Sequence, residues 1–190
     1  MPITIGKKAE SDYSSPLGLL SDCHRRIERF LDGMIVISEQ ARGNALNDVQ
    51  RQHFEVALRY FRDAASKHML DEEESLFPRL RTHKNGETDA ALALLDTLHL
   101  EHVDAEIWHR KVDQLGCRWL AEGTLPHDYA QLLICLLKGL RTTYKKHIAV
   151  EDTELFPLAE RTLGRVELEA IGREMAVRRG LVVSASTLGR

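Results

Sequence analysis

Cysteine is sparse and scattered: Cys23, Cys117 and Cys135 are odd in number and far apart, and no C-x-x-C or C-x-x-C-H occurs. Disulfide frameworks, cysteine-rich zinc sites and covalent haem therefore lack support. Glycine (12) and proline (5) are few among 190 residues, which excludes fibrous and low-complexity chains and leaves long stretches without breakers. Long apolar runs are also missing. The longest, residues 132–137, is six residues against the ~20 that cross a bilayer. The first fifteen residues lack the apolar segment of a signal peptide, so a cytoplasmic protein without membrane contact is expected. No charge of one sign dominates. The net charge of -3 gives no electrostatic reason to expect nucleic-acid binding.

Composition is otherwise that of a folded domain, with 43% hydrophobic and 29% charged residues. Four long stretches carry apolar residues at alternating spacings of three and four, the mark of helices that bury one stripe. An all-α, up-down-up-down four-helix bundle with a short additional C-terminal helix is predicted. The first helix starts at Ser14-Ser15-Pro16, a cap serine followed by a proline in the first turn, and stops at Ala41-Arg42-Gly43-Asn44. The second runs from Asn47 or Asp48 to the mid-70s, where Pro78 implies a boundary or kink, and Asn85-Gly86 makes a turn. The third spans Thr88 to about Glu122, the fourth Pro126 to about Glu154, and the short one Arg165 to Arg179. This divides the chain into an arm (1–14), a bundle (15–162), and a C-terminal helix and tail (163–190).

Nine histidines are present, and their placement is informative. The core stripe of the first helix reads Leu17, Leu20, His24, Ile27, Leu31, Met34. That of the second reads Phe54, Leu58, Phe61, Ala65, His68, Glu72. The third gives Ala91, Leu95, Leu98, His102, then Ala105 with Glu106, and the fourth gives Leu133, Leu137, Leu140, Tyr144, His147, Glu151. Each helix thus places one histidine where an apolar residue belongs. In an up-down bundle, residues on consecutive helices lie level when the midpoint of their numbers falls in the connecting loop. The midpoints of 24 and 68, of 68 and 102, and of 102 and 147 all fall at or within about two residues of turn signals. The four histidines should form one layer, with Glu72, Glu106 and Glu151 one helical turn further along.

Burying such groups without partners costs several kcal/mol each, so they must satisfy one another or share a cation. Four imidazoles and three carboxylates suit iron, manganese or zinc, and seven ligands exceed what one ordinary ion takes. Two ions bridged by carboxylates fit the count. A ferritin-like centre needs two Glu-x-x-His pairs, and only Glu106-Ile-Trp-His109 has a glutamate three before a core histidine.

The segments His68-x-x-x-Glu72…Leu76-Phe77-Pro78 and His147-x-x-x-Glu151…Leu155-Phe156-Pro157 repeat at identical offsets. With the other ligands, the pattern resembles the hemerythrin-like, HHE cation-binding family over about residues 15–160. The resemblance implies a non-haem di-iron centre. His24, His68, His102 and His147 would be terminal ligands, Glu72 and Glu151 bridges, and Glu106 a terminal ligand where the oxygen carriers have histidine. Asp152, at the offset those carriers use, is the alternative to Glu151.

Several neighbours admit other roles. Asp71, Glu73, Glu74 and Glu154 are expected on a solvated surface, Glu73 being the candidate exception. His99 and His109 are close enough to the stripe to touch the ligands, whereas His53, His83 and His127 are expected at the surface. Tyr144 is either a core tyrosine or a hydrogen-bond donor to a bound oxygen species, and Cys23 a buried thiol. The function implied is binding of, or reaction with, dioxygen, peroxide or nitric oxide at two iron ions, with manganese or zinc as substitutes. The alternatives are an iron- or oxygen-responsive regulator ordered by metal, and an interaction bundle holding zinc or nothing.

Overall fold

A computed structural model describes residues 11–83 and 86–181, with side chains of 84–92 outside the description. The predicted arm before residue 11, the tail beyond 181 and Asn85 of the predicted turn lie outside the described residues. Every regular element among those described is helical. Among the described residues no helix is long and apolar enough to cross a membrane.

Helix α1 (Pro16–Ala41) begins with proline in its first turn, where the missing N–H costs nothing. Ser15 occupies the cap position but its side chain makes no capping bond; the Asp12 carboxylate instead accepts from the N–H and hydroxyl of Ser14. The helix ends through Arg42 (φ 49°) and Gly43 (φ 85°), the left-handed backbone that glycine adopts without a Cβ penalty. Asn47 then caps α2 (residues 48–82), accepting from the Gln50 N–H while the Gln50 side chain accepts from the Asn47 N–H. Helix α3 is Gly86–Glu122, α4 covers residues 127–162, and α5 is Arg165–Arg178.

Helix α2 does not stop in the mid-70s and α4 does not stop at Glu154. Each passes its proline by widening into a π turn, at Asp71–Leu76 and at Glu151–Leu155, and resumes as α-helix at Phe77–Thr82 and Phe156–Thr162. The Phe77 N–H bonds to the Glu72 carbonyl and the Phe156 N–H to that of Glu151, each five residues back. An α-helical turn would press the proline ring against a carbonyl; the wider turn relieves that contact. The sequence repeat thus has a structural counterpart, with the glutamate at the start of each π turn. A further π turn, Phe61–Ala65, lies in the middle of α2.

Helix α1 packs on α2 and α4, and α3 packs on α2 and α4. The connections after α1 and α3 are tied together, since the Leu125 N–H donates to the Gly43 carbonyl at 2.8 Å and the Trp119 indole to the Asn44 carbonyl at 3.0 Å. Two apolar clusters result. One, near these loops, includes Leu31, Met34, Phe54, Trp119, Leu133 and Leu137. The other includes Leu20, Phe77, Leu98, Phe156, Ile171 and Met175, the last two from α5. Each fully buried aliphatic or aromatic side chain contributes about 2 kcal/mol, and this packing offsets the cost of the polar layer between the clusters.

Helix α5 is fastened as well as packed. Asp71, expected at the surface, is fully buried because α5 lies over that turn: its carboxylate pairs with Arg178, and with Arg179 at 2.6 Å. Glu174 holds Arg79 at 2.6 Å. Glu74 and Glu154 are exposed as expected.

Candidate metal centre

Four inward-facing histidines, one per long helix, converge with two glutamates. His24 and His68 are edge-to-face with ring centroids 4.9 Å apart, and His102 and His147 lie 4.6 Å apart. Glu72 stands between the pairs. Its Oε1 is 3.3 Å from His68 Nε2 and 3.7 Å from His24 Nε2, while its Oε2 is 3.5 Å from His102 Nε2. Glu151 Oε2 also reaches both sides, 3.1 Å from His24 Nε2 and 3.2 Å from His147 Nε2. Two ligand groups follow, His24–His68–Glu72 and Glu72–His102–His147–Glu151, each with ligand atoms within 4.8 Å of one another. Glu72 belongs to both, and all six residues are buried.

The hydrogen-bond inventory shows what this cluster lacks. His24 Nε2 and all four carboxylate oxygens of Glu72 and Glu151 are buried without a hydrogen-bond partner, a cost of about 1–3 kcal/mol for each such atom and more for charged ones. His102 Nε2 and His147 Nε2 face each other at 3.0 Å, where one proton at most can lie between them. A cation would engage all of these lone pairs, so the donor set fits a metal.

Protonation tells the same story. Burial, followed by the charge of Glu151, pushes Glu72 up to about 7. Burial alone would also raise Glu151, but the close imidazoles of His147 and His24 hold it well below the usual range. Burial would lower His147 and His24; nearby carboxylates outweigh it, taking His147 to about 9 and His24 well above its ordinary value. His68, buried and facing His24, falls well below. Protons on His24 and His147 thus compensate the buried carboxylates where a cation otherwise would.

Three of the four outer nitrogens are also held, that of His68 having no partner among the described residues. His24 Nδ1 bonds to Asp152 at 3.1 Å, His102 Nδ1 to Glu73 at 2.8 Å and His147 Nδ1 to Glu101 at 2.8 Å. A carboxylate on one imidazole nitrogen fixes the tautomer and turns the other nitrogen inward as a lone-pair donor. Asp152 therefore sits outside the cluster, on the far nitrogen of His24, while Glu151 sits inside. Glu73 also accepts from His99 at 2.9 Å. Glu101 carried no signal in the sequence, since its partner is 46 residues away on another helix.

Glu106 is placed differently from the other six. Its side chain is exposed and lies outside both ligand groups, although it lines the cavity of about 50 Å³ that the four histidines border. Phe61, Ser66, Glu106 and His109 also line an outer cavity of about 320 Å³. Within the inner one, Tyr144 Oη and His109 Nε2 are 3.0 Å apart. His83 pairs with Glu167 at 2.9 Å near the surface. His53 is half-buried, its Nε2 enclosed without a partner and its ring beside Phe30. Cys23 is buried as expected.

The family model of the hemerythrin HHE cation-binding domain matches residues 15–159. The chain belongs to that family, and is a metal-binding, all-helical protein. Curated proteins contain no match to it.

Proposed function

We propose that this protein is a non-haem di-iron protein that binds or reacts with a small molecule, dioxygen, peroxide or nitric oxide, inside a four-helix bundle whose helices alternate in direction. The observation that carries the reading is Glu72, shared by two ligand groups with both oxygens unpartnered. A carboxylate with that placement would serve two cations at once. His24 and His68 would hold one ion, His102 and His147 the other, with Glu72 and Glu151 between them. Glu106 is the seventh candidate and reaches the cluster only by turning in from the cavity wall. Manganese or zinc fits the same nitrogen and oxygen donors.

Two ferrous ions would supply electrons for a small oxidant. The protein's own contribution is to fix His24, His102 and His147 through their outer nitrogens and to admit only what fits about 50 Å³, a few heavy atoms. Redox or peroxide chemistry is favoured over oxygen carriage if Glu106 joins the ligands, because a third carboxylate removes the residual positive charge that a two-carboxylate diferrous site with one hydroxide retains. Lower positive charge stabilises the ferric state.

A second reading, an iron- or oxygen-responsive regulator, has its own support. The clamp of α5 on Asp71 lies next to Glu72, so ordering of the ligand turn by metal would be felt by the C-terminal helix.

Metal analysis of protein isolated without added metal tests the first reading. Two ions per chain are expected, with loss of metal and of thermal stability together in His68→Ala and His147→Ala. A loaded stoichiometry at or below one overturns the dinuclear site.

A further inference from the structure

Besides Ser66 and Glu106, the inner cavity is lined by a hydrogen-bonded pair that the ligand cluster does not use. Tyr144 on α4 and His109 on α3 meet at 3.0 Å, and both border the cavity. The His109 ring is stacked on Phe61 with centroids 4.6 Å apart, which fixes the imidazole plane. Much of the remaining wall on this side is apolar, formed by Phe61, Ala65, Met69, Ala105 and Ile148. His109 also lines the outer cavity, so the pair stands where the outer space meets the inner one.

The hydrogen inventory of such a pair is particular. A phenol has one proton and accepting lone pairs, and a neutral imidazole has one proton and one lone pair. When His109 Nε2–H donates to Tyr144 Oη, the phenolic proton is free to donate into the cavity. When the phenol donates to His109 Nε2, the phenolic oxygen is free to accept from the cavity. A shift of tautomer switches the pair between donor and acceptor without creating charge. Both groups stay neutral near pH 7, since burial pushes the tyrosine up and the histidine down to about 4.

We propose that His109 and Tyr144 form a hydrogen-bonding subsite that selects hydrogen peroxide over dioxygen and nitric oxide. Hydrogen peroxide both donates and accepts, and its two oxygens suit a cavity of about 50 Å³. Dioxygen and nitric oxide carry no proton to donate and accept only weakly, so the pair gives them little. The inference rests on the di-iron reading.

The experiment compares the metal-loaded parent with Tyr144→Phe, which removes the hydroxyl and keeps the ring, and with His109→Gln and His109→Leu. Metal content is measured first and is expected to match the parent, because neither residue belongs to a ligand group. Azide is then bound to the oxidised protein and its infrared stretch recorded. The band should move in Tyr144→Phe as the hydrogen bond is lost. With reduced protein, the concentration of hydrogen peroxide giving half-maximal reaction rate should rise roughly five- to tenfold in Tyr144→Phe and His109→Leu. In His109→Gln, whose amide still donates and accepts, it should stay near the parent value, and the dioxygen midpoint should not change in any variant. An unmoved azide band with unmoved midpoints overturns the inference, as does an equal loss toward peroxide and dioxygen. A parent that binds no metal overturns the di-iron reading and this inference together.

Discussion

Glu101 accepts a hydrogen bond from Nδ1 of His147 at 2.8 Å, a contact made between α3 and α4 that turns Nε2 toward the cluster. Glu101→Gln should keep the bundle folded and weaken metal binding by about 10–100-fold, the usual effect of removing a carboxylate behind a histidine ligand. Chelator competition measures it. Parent-like affinity would mean that packing alone orients the ring.

Glu106 separates two forms of the centre. If it turns in to bind metal, Glu106→Gln should lower metal affinity, and Glu106→His should slow the one-way oxidation of the reduced protein by dioxygen. If it stays at the cavity wall, both variants should load two ions with parent-like affinity. Metal titration and repeated oxygen-exposure cycles, followed by visible absorption, distinguish the outcomes.

Acid should weaken the metal-free protein partly through His109. Burial holds this imidazole at about 4, below the ordinary 6.5. Between pH 6.5 and 4 the unfolded chain takes up a proton that the folded protein refuses, so stability is present above 6.5 and is lost as pH falls toward 4. The loss attributable to this residue is of order 3 kcal/mol. Urea unfolding at pH 7 and pH 4.5 should show a smaller loss in His109→Gln than in the parent. Equal losses would show that His109 does not carry the effect.

The clamp on α5 should be costly to break. Asp71 is fully buried between Arg178 and Arg179, and removing one member of a buried ion pair costs about 3–5 kcal/mol because the partners remain uncompensated. Asp71→Asn is expected to lower the melting temperature and speed tryptic cleavage within α5. Unchanged melting would assign the attachment of α5 to Ile171 and Met175 instead.

The polar interruptions of the stripes were legible in the sequence because burial periodicity is a local signal: His24, His68, His102 and His147 all fall on the faces that their apolar neighbours define. The level of the layer was legible because loop positions fix how antiparallel helices align. Four things were not. The helices pass Pro78 and Pro157 because π turns relieve the clash, and no spacing rule announces a π turn. Asp71 is inside because α5 lies over it, a relation between segments about a hundred residues apart. Glu101 finds His147 only through the rotation of α3 against α4. The outlying position of Glu106 has the same origin: one residue beyond Ala105, it falls outside the buried face.

The two π turns also set a rotation. A π turn is an α-helix carrying one residue more than its register needs, and each residue of an α-helix turns the chain by about 100°. Wound as plain α-helix, the same residues would turn everything beyond by roughly that angle relative to Glu72. Leu76, Phe77 and Leu80 are all buried in the apolar cluster, so either they would leave it or Glu72 would swing away from the histidines. The same holds between Glu151 and Leu155. In these two stretches the wide turn, and not the residue types alone, keeps each glutamate on the histidines while the apolar residues beyond it stay in their cluster.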